Sequence, residues 1–367
     1  MDPKKKAITA AVVGTALGVG GLVVVAMPAS AGDAPKLPQI SAEDLVQSVM
    51  TANPGPFDGT VSVSNDLGLP AMGAVGGAVP GMSALNIDSA HVFSDGAGKA
   101  KISLTNGASQ ETIVRDGTTV WDYHSSNNSA TKTTIPADLA TKHDMGAGEM
   151  ADPATATKEL LAKVRENSTV SVDGTANVAD RPAYELVFTP KPTERTLLRE
   201  IRVAVDSQTR MPLRLSVLSN GTTAPALQVA FTDVKFAPQS ADLFAFTPPQ
   251  GAKVTEKTAK VDDQTKAMAD EAKQDTELVG DGWDTVITGK VPADALSGKK
   301  PAGASGAEGR NADPQQLRSR FAKRVNGAWG SGYLFTTKVG GAVLTDDGRF
   351  AAGAVPEQVL YEALGQK

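Results

Sequence analysis

The chain has no cysteine among its 367 residues. That excludes disulfides, thiolate metal sites and thiol catalysis. It also excludes attachment of a lipid to an N-terminal cysteine. Histidine is nearly as scarce: His91, His124 and His143 are the three, and none has a second histidine three or four residues away, so no zinc-binding helix motif is present. His124 sits in Asp122-Tyr123-His124-Ser125, near the end of a hairpin strand. With no partner that the local sequence can name, it reads as a solvated turn residue. Positive charge is not in excess either. The formal net charge is −5, so nothing supplies the phosphate-neutralising surface that nucleic-acid binding needs. A G-x-S-x-G elbow, a P-loop and a dinucleotide-binding glycine motif are all missing. The expectation is a protein with no catalytic residue, no metal site and no cofactor.

What is present begins with a basic start, Lys4-Lys5-Lys6, followed by an uncharged apolar run from Ala7 to Ala26 and then Pro28 and Ala29-Ser30-Ala31. This is the pattern of a signal peptide cut after Ala31. An uncleaved membrane anchor is the competing reading, because the run approaches the ~20 residues that span a bilayer. Either way the chain is expected outside the cytoplasm, in the cell envelope.

Over the whole chain, 41% hydrophobic and 21% charged residues allow a real core. Ser41 precedes Glu43-Asp44, and Leu45, Val46, Val49 and Met50 then fall at helical spacing until Asn53-Pro54-Gly55-Pro56. A second helix is expected from Asp152-Pro153, with Leu160, Leu161 and Val164 on one side. Elsewhere the apolar period is two. Phe57, Gly59, Val61 and Val63 alternate with polar residues, as do Ala100, Ile102 and Leu104. So do Tyr184, Leu186 and Phe188; Ile201, Val203 and Val205; Leu213, Leu215 and Val217; and Leu227, Val229 and Phe231. Turn signals at Arg115-Asp116-Gly117, Asp173-Gly174, Asp206-Ser207-Gln208 and Asn220-Gly221 separate the runs.

Strands that are wet on one side form an antiparallel sheet whose apolar face must be covered. Two helices of about three turns, each ~10 Å wide, cover only part of a large sheet. The reading is a mainly β fold of the α+β kind, a curved antiparallel half-barrel with helices on its concave face and an apolar cavity left there. Its lining is expected from Val61, Val63, Ile102, Leu104, Trp121, Leu186, Phe188, Val203, Leu215, Val229 and Phe231. The uncharged stretch Gly68–Leu85 carries Leu69, Met72, Val75, Val79 and Met82 between five glycines and two prolines. It is too apolar for an ordinary loop and reads as a lid over the cavity.

The expected organisation is a leader at 1–31, the half-barrel at 39–254, a polar linker at 255–282, and a small C-terminal α+β module at 283–367. In that module strands are expected at Thr285–Lys290, Tyr333–Lys338, Ala342–Thr345 and Phe350–Val355. Helices are expected at Pro314–Val325 and Pro356–Leu364.

The hairpin Arg115-Asp-Gly-Thr-Thr-Val-Trp121-Asp-Tyr123, with Asn127-Asn128 and Ile135-Pro136 after it, resembles the DG-x-x-x-W-x-Y hairpin of the LolA/LolB/RseB-like lipoprotein-carrier superfamily. Asp180-Arg181-Pro182-Ala183-Tyr184, Val203-Ala-Val205-Asp206, Met211-Pro212-Leu213 and Phe244-Ala-Phe246-Thr-Pro-Pro249-Gln-Gly251 follow in the order expected there. The resemblance spans roughly Gln39 to Val254. It departs from the mycobacterial lipoproteins of that superfamily in having no cysteine for a lipid anchor, so the resemblance is to an actinobacterial-type, non-lipidated member.

The resemblance implies an open β-barrel that carries acyl chains or lipidated proteins, and hence a lipid or a lipidated protein as partner. Two alternatives stand beside it. One is an envelope sensor of the RseB kind, whose C-terminal module contacts a membrane-bound anti-sigma or signalling partner. The other is a structural envelope protein that binds nothing.

Overall fold

The computed structural model describes residues 34–68, 87, 89–136, 153–259, 276–291 and 322–365. These form two sheets. The leader, the lid stretch from Leu69 to Met82 and the low-complexity loop before Pro314 lie outside the described residues. Among the described residues, no helix is long and apolar enough to cross a membrane.

Helix α1 (Ala42–Met50) starts where the Ser41 hydroxyl accepts from the Asp44 amide at 3.0 Å. This satisfies one of the amides that a helix start leaves without a partner. Strands β1 (Phe57–Asn65), β2 (Ser89–Ser94), β3 (Ala100–Asn106), β4 (Ser109–Asp116), β5 (Thr119–His124) and β6 (Ser129–Thr134) follow. Helix α2 (Pro153–Asn167) then runs without a linking turn into β7 (Ser168–Val178), and β8 (Arg181–Pro190), β9 (Leu198–Asp206), β10 (Pro212–Ser219), β11 (Leu227–Phe236) and β12 (Lys253–Thr258) complete the first sheet. Its order is β12-β6-β5-β4-β3-β2-β1-β11-β10-β9-β8-β7. The sheet is curved and open, not closed into a barrel, and it carries its helices on the concave face.

Three expectations shift. Asp173-Gly174 is not a turn. It is a bulge inside β7, where the register to β8 slips between Val172 and Thr175 and Gly174 takes φ +89°. The hairpin turn is made at Ala179-Asp180 instead, both at positive φ (51° and 59°), the backbone that a tight two-residue hairpin requires. The sheet is also not wholly antiparallel, because β12 pairs with β6 in parallel. Finally, the polar stretch is not all linker. Its first residues make β12, and Thr276–Val279 starts the second sheet. Every residue of β12 is exposed, so no burial pattern marks it, and its lysines suit an exposed edge.

The second sheet contains β13 (Thr276–Val279), β14 (Val286–Lys290), β15 (Lys323–Gly327), β16 (Gly330–Thr336), β17 (Gly341–Thr345) and β18 (Arg349–Gly353), in the order β13-β14-β18-β17-β16-β15. Helix α3 (Glu357–Gly365) lays Val359, Leu360, Ala363 and Leu364 on Val286, Leu334, Val343 and Ala351. The ring of Tyr361 stacks on Trp329 at 5.4 Å. The helix expected over Pro314–Val325 is overturned at its end: Lys323–Val325 belong to β15, Ala322 is irregular, and residues 314–321 lie outside the described ones. As an edge strand β15 has mostly exposed side chains, so it too lacks the alternation that identifies a strand.

The sheets meet through the β8–β9 loop. Leu197 N–H and the Thr196 hydroxyl both donate to the Ala354 carbonyl, at 2.9 and 2.7 Å. Arg195 grips Glu362 with two bonds of 2.7 and 2.9 Å. Trp283 donates its amide to Glu194 and its indole N–H to the Ser168 hydroxyl, each at 2.7 Å.

Candidate functional site

Cross-strand register decides which side chains share a face, because directly paired residues point the same way. Val203 pairs with Leu215, Leu215 with Val229, and Val229 with Val63. Two residues along β1, Val61 pairs with Ala90, Ala90 with Leu104, and Leu104 with Glu111. Ile102 lies on the same side, paired with Val92 and Ile113. One apolar inner face therefore runs across most of the sheet, and ten of the eleven residues expected there share it.

The face is treated unequally along its length. Over β7–β9 it is filled: Ala42, Leu45 and Val46 of α1 and Leu161 of α2 pack on Val170, Tyr184, Leu186 and Val205, with Phe188 and Val203 alongside. At its centre Val61 and Val63 are buried. Leu215, Val229, Ile102 and Leu104 are only half-buried. Phe231 closes one end, edge-on to Phe57 with ring centroids 6.2 Å apart. A side chain at Gly59 would lie 2.9 Å from the Phe231 ring and 2.7 Å from the Asp233 carbonyl. Only glycine lets the strand pass so close.

Trp121 is the exception and is corrected. It pairs with Val114, which pairs with Lys101, and all three belong to the outer face. There Phe246 packs on it at 5.4 Å and on Tyr123 at 5.9 Å, while Phe244 beside them is buried. The segment between β11 and β12 thus straps the outer face of the hairpin. The hairpin motif and the Phe244-Ala-Phe246 motif, far apart in sequence, are two halves of one contact. The aromatic residues alone could not signal this, because the strap returns over a face that their alternation assigns only relative to their own strand.

On the inner side of the same hairpin, Glu111 of β4 lies directly across from His124 of β5, and Asp122 is two residues along β5. His124 Nδ1 is 3.9 Å from Glu111 Oε2, and Nε2 is 3.3 Å from Asp122 Oδ1. Burial, with Asp122 nearby, pushes the Glu111 carboxyl above its ordinary range against the pull of His124. His124 is a strand residue with two carboxylate neighbours, not a solitary turn residue. Cross-strand partners are what a linear reading lacks.

The outer face of β7–β11 is ionic. Glu185 pairs with Arg214, Glu200 with Arg202 at 2.8 Å, and Arg202 also approaches Asp173. These residues line a groove of about 470 Å³. At the turn after β9, Asp206 is fully buried and accepts from Arg181 Nε and Nη2 at 2.7 and 2.9 Å. It also accepts from the Thr209 hydroxyl at 2.8 Å. Burial would raise this carboxyl, but Arg181 and Thr209 hold it below its ordinary range.

Residues 82–259, just under half of the chain, match the family model described as MucB/RseB N-terminal domain. This agrees with the LolA/RseB-like resemblance carried by the hairpin and its followers. Among solved structures, the MucA/MucB complex of Pseudomonas aeruginosa is similar at 16% identity, with 88% of this chain and 96% of that chain covered and a TM-score of 0.41. The lipoprotein LppX of Mycobacterium tuberculosis is similar at 10% identity, covering 52% of this chain and 92% of that one, with a TM-score of 0.29. A LolA superfamily protein from Nitrosomonas europaea is similar at 12% identity, covering 57% and 99%, with a TM-score of 0.23. No curated protein matches the chain.

Proposed function

We infer that this chain, LolA/RseB-like over its first sheet, is a non-catalytic envelope protein that binds the acyl chain of a lipid or lipidated protein on the inner face of that sheet. The carrying observation is the unequal filling of the face. The helices occupy it over β7–β9, while Ile102, Leu104, Leu215 and Val229 remain half-buried on the same continuous apolar surface. Burying several hundred Å² of acyl chain there at ~25 cal/mol per Å² yields several kcal/mol before the costs of association. Recognition of this kind rests on apolar area and shape, so a headgroup need not be read by a dedicated polar site. Export under the direction of residues 1–31, with cleavage after Ala31, belongs to the same reading. So do a lid made by the apolar stretch around Met72, Val75 and Met82, and a division into two domains at the short stretch between β12 and β13.

Mass spectrometry of organic extracts from the purified protein, before and after incubation with envelope lipids, is the direct test. An amphiphile should be recovered in stoichiometric amount. Persistent recovery of none sinks the reading.

A second reading is favoured by the second sheet being tied to the first by the Arg195–Glu362 grip and the Ala354 bonds. Such a joined pair could report the state of the inner face to a membrane-bound signalling partner. MucB of Pseudomonas aeruginosa has been captured with MucA. Crosslinking of the full chain in its own host, with the site of capture mapped, tests it: crosslinks confined to solvent-exposed tails would argue against a sensor.

A further inference from the structure

The structure assigns a binding site for a first-row divalent cation, zinc being the reference ion, to Glu111, Asp122 and His124 on the inner side of the β4–β5 hairpin. The three residues are placed by register. Glu111 and His124 are directly paired, Asp122 and His124 are two apart on one strand, and all three side chains leave the sheet on the same side. Each offers one ligand atom, and the three atoms lie within 4.8 Å of one another. Two ligands of one tetrahedral zinc are roughly 3.4 Å apart, given metal–ligand bonds of about 2.0–2.2 Å. The 3.3 Å separation of His124 Nε2 and Asp122 Oδ1 already meets this. Glu111 has to close in by side-chain rotation alone, since its backbone partner is His124 itself.

Two further observations distinguish the cluster from an ordinary surface ion group. Asp122 Oδ1 is itself shielded from solvent, on a side chain that is 40% exposed, and its neighbour is His124 Nε2 at 3.3 Å. The shielded oxygen is therefore the one aimed into the cluster. Moreover, among the described residues neither carboxylate has a lysine or arginine in its ion pairs. Other carboxylates of the same sheet do: Glu185 has Arg214, Glu200 has Arg202, Asp206 has Arg181 and Asp116 has Lys99. Two carboxylates and one imidazole are a donor set that suits zinc and its first-row neighbours. Three ligands on one sheet face leave the remaining coordination positions open to water.

The test is calorimetric titration of the full chain, carrying no affinity histidines, with zinc chloride, alongside Glu111→Gln, Asp122→Asn, His124→Ala and His91→Ala, each checked for fold by circular dichroism. One equivalent of zinc should bind. Each of the first three changes should weaken it by at least the ~10–100-fold that loss of an outer-shell partner costs, and His91→Ala should leave it unchanged. X-ray absorption of the loaded protein should show nitrogen and oxygen ligands only. Absence of binding at millimolar zinc overturns the assignment, and so does a zinc equivalent that survives all three substitutions with its affinity intact. The near-isosteric Glu111→Gln and Asp122→Asn keep the test decisive if His124→Ala does not fold.

Discussion

Along β7–β9 the inner face lies largely under α1 and α2, and on the outer face of β7–β11 Glu185 and Glu200 are each met by an arginine. Along β2–β6 the inner face keeps Ile102 and Leu104 half-buried, its two carboxylates share one histidine, and the outer face is strapped by Phe244 and Phe246. Both halves have the same alternating strands, but they use opposite faces for packing. The first half buries its apolar side under helices and satisfies its charges outside, as a structural core does. The second takes its aromatic packing on the outside and leaves apolar surface and two carboxylates around one histidine within. The binding surface proposed above lies in the half whose inner side is not spent on folding.

The comparison is tested hardest at Asp206, in the first half. Replacing it with alanine leaves the Arg181 guanidinium without its buried partner and should cost about 3–5 kcal/mol in urea unfolding, the range for breaking a buried pair. Because the folded carboxyl is held below its ordinary value of 3.8, its contribution is fully present above that value. It is lost as pH falls through the lower folded value. The acid limb of the stability profile should therefore flatten in the variant. An unchanged acid limb would remove Asp206 from the account.

A paired substitution addresses the inner face itself. Leu45 is fully buried under the helix cluster, so Leu45→Ala should destabilise by about 2–5 kcal/mol. Leu104 is half-buried, and Leu104→Ala should cost under about 1.5 kcal/mol while reducing amphiphile uptake. Equal losses of stability at the two sites would erase the distinction between the halves.

The smallest effect is expected at the joint between the sheets. Burial, with Asp284 and Asp281 close by, raises the Glu194 carboxyl above its ordinary value of 4.5, although the Trp283 amide donates to it. A raised carboxyl favours folding fully below 4.5, and that contribution is lost as pH rises through the folded value. Glu194→Gln keeps an acceptor for Trp283 and removes the titration. Its stability should change by less than about 1 kcal/mol at neutral pH, and the difference between acidic and neutral conditions should shrink. A dependence that stays the same points to another group.

Much of this was legible in the residues. Ser41 starts α1 as its spacing to the acidic residues predicts. The period-two runs at Val61, Ile102, Leu186, Val203, Leu215 and Val229 are strands, and these six residues share one face. Strands without burial, β12 and β15, were not legible, because alternation is a record of burial and an edge strand has little to record. Asp173-Gly174 reads the same as a turn or a bulge, since both need positive φ at glycine.

The amino-acid sequence by itself determined that strands with one apolar side would build an open, one-sided sheet, and it marked the reversals at Asp116-Gly117, Asp206-Ser207-Gln208 and Asn220-Gly221. Only the tertiary structure decided which sides align. Alternation orders side chains within a strand, but neighbouring strands are matched by register, and a bulge or a single-residue slip exchanges the faces. That is why Trp121 lies beneath Phe246 on the outer side rather than among the inner apolar residues. It is also why Glu111, eleven residues before Asp122 in the chain, comes to stand opposite His124.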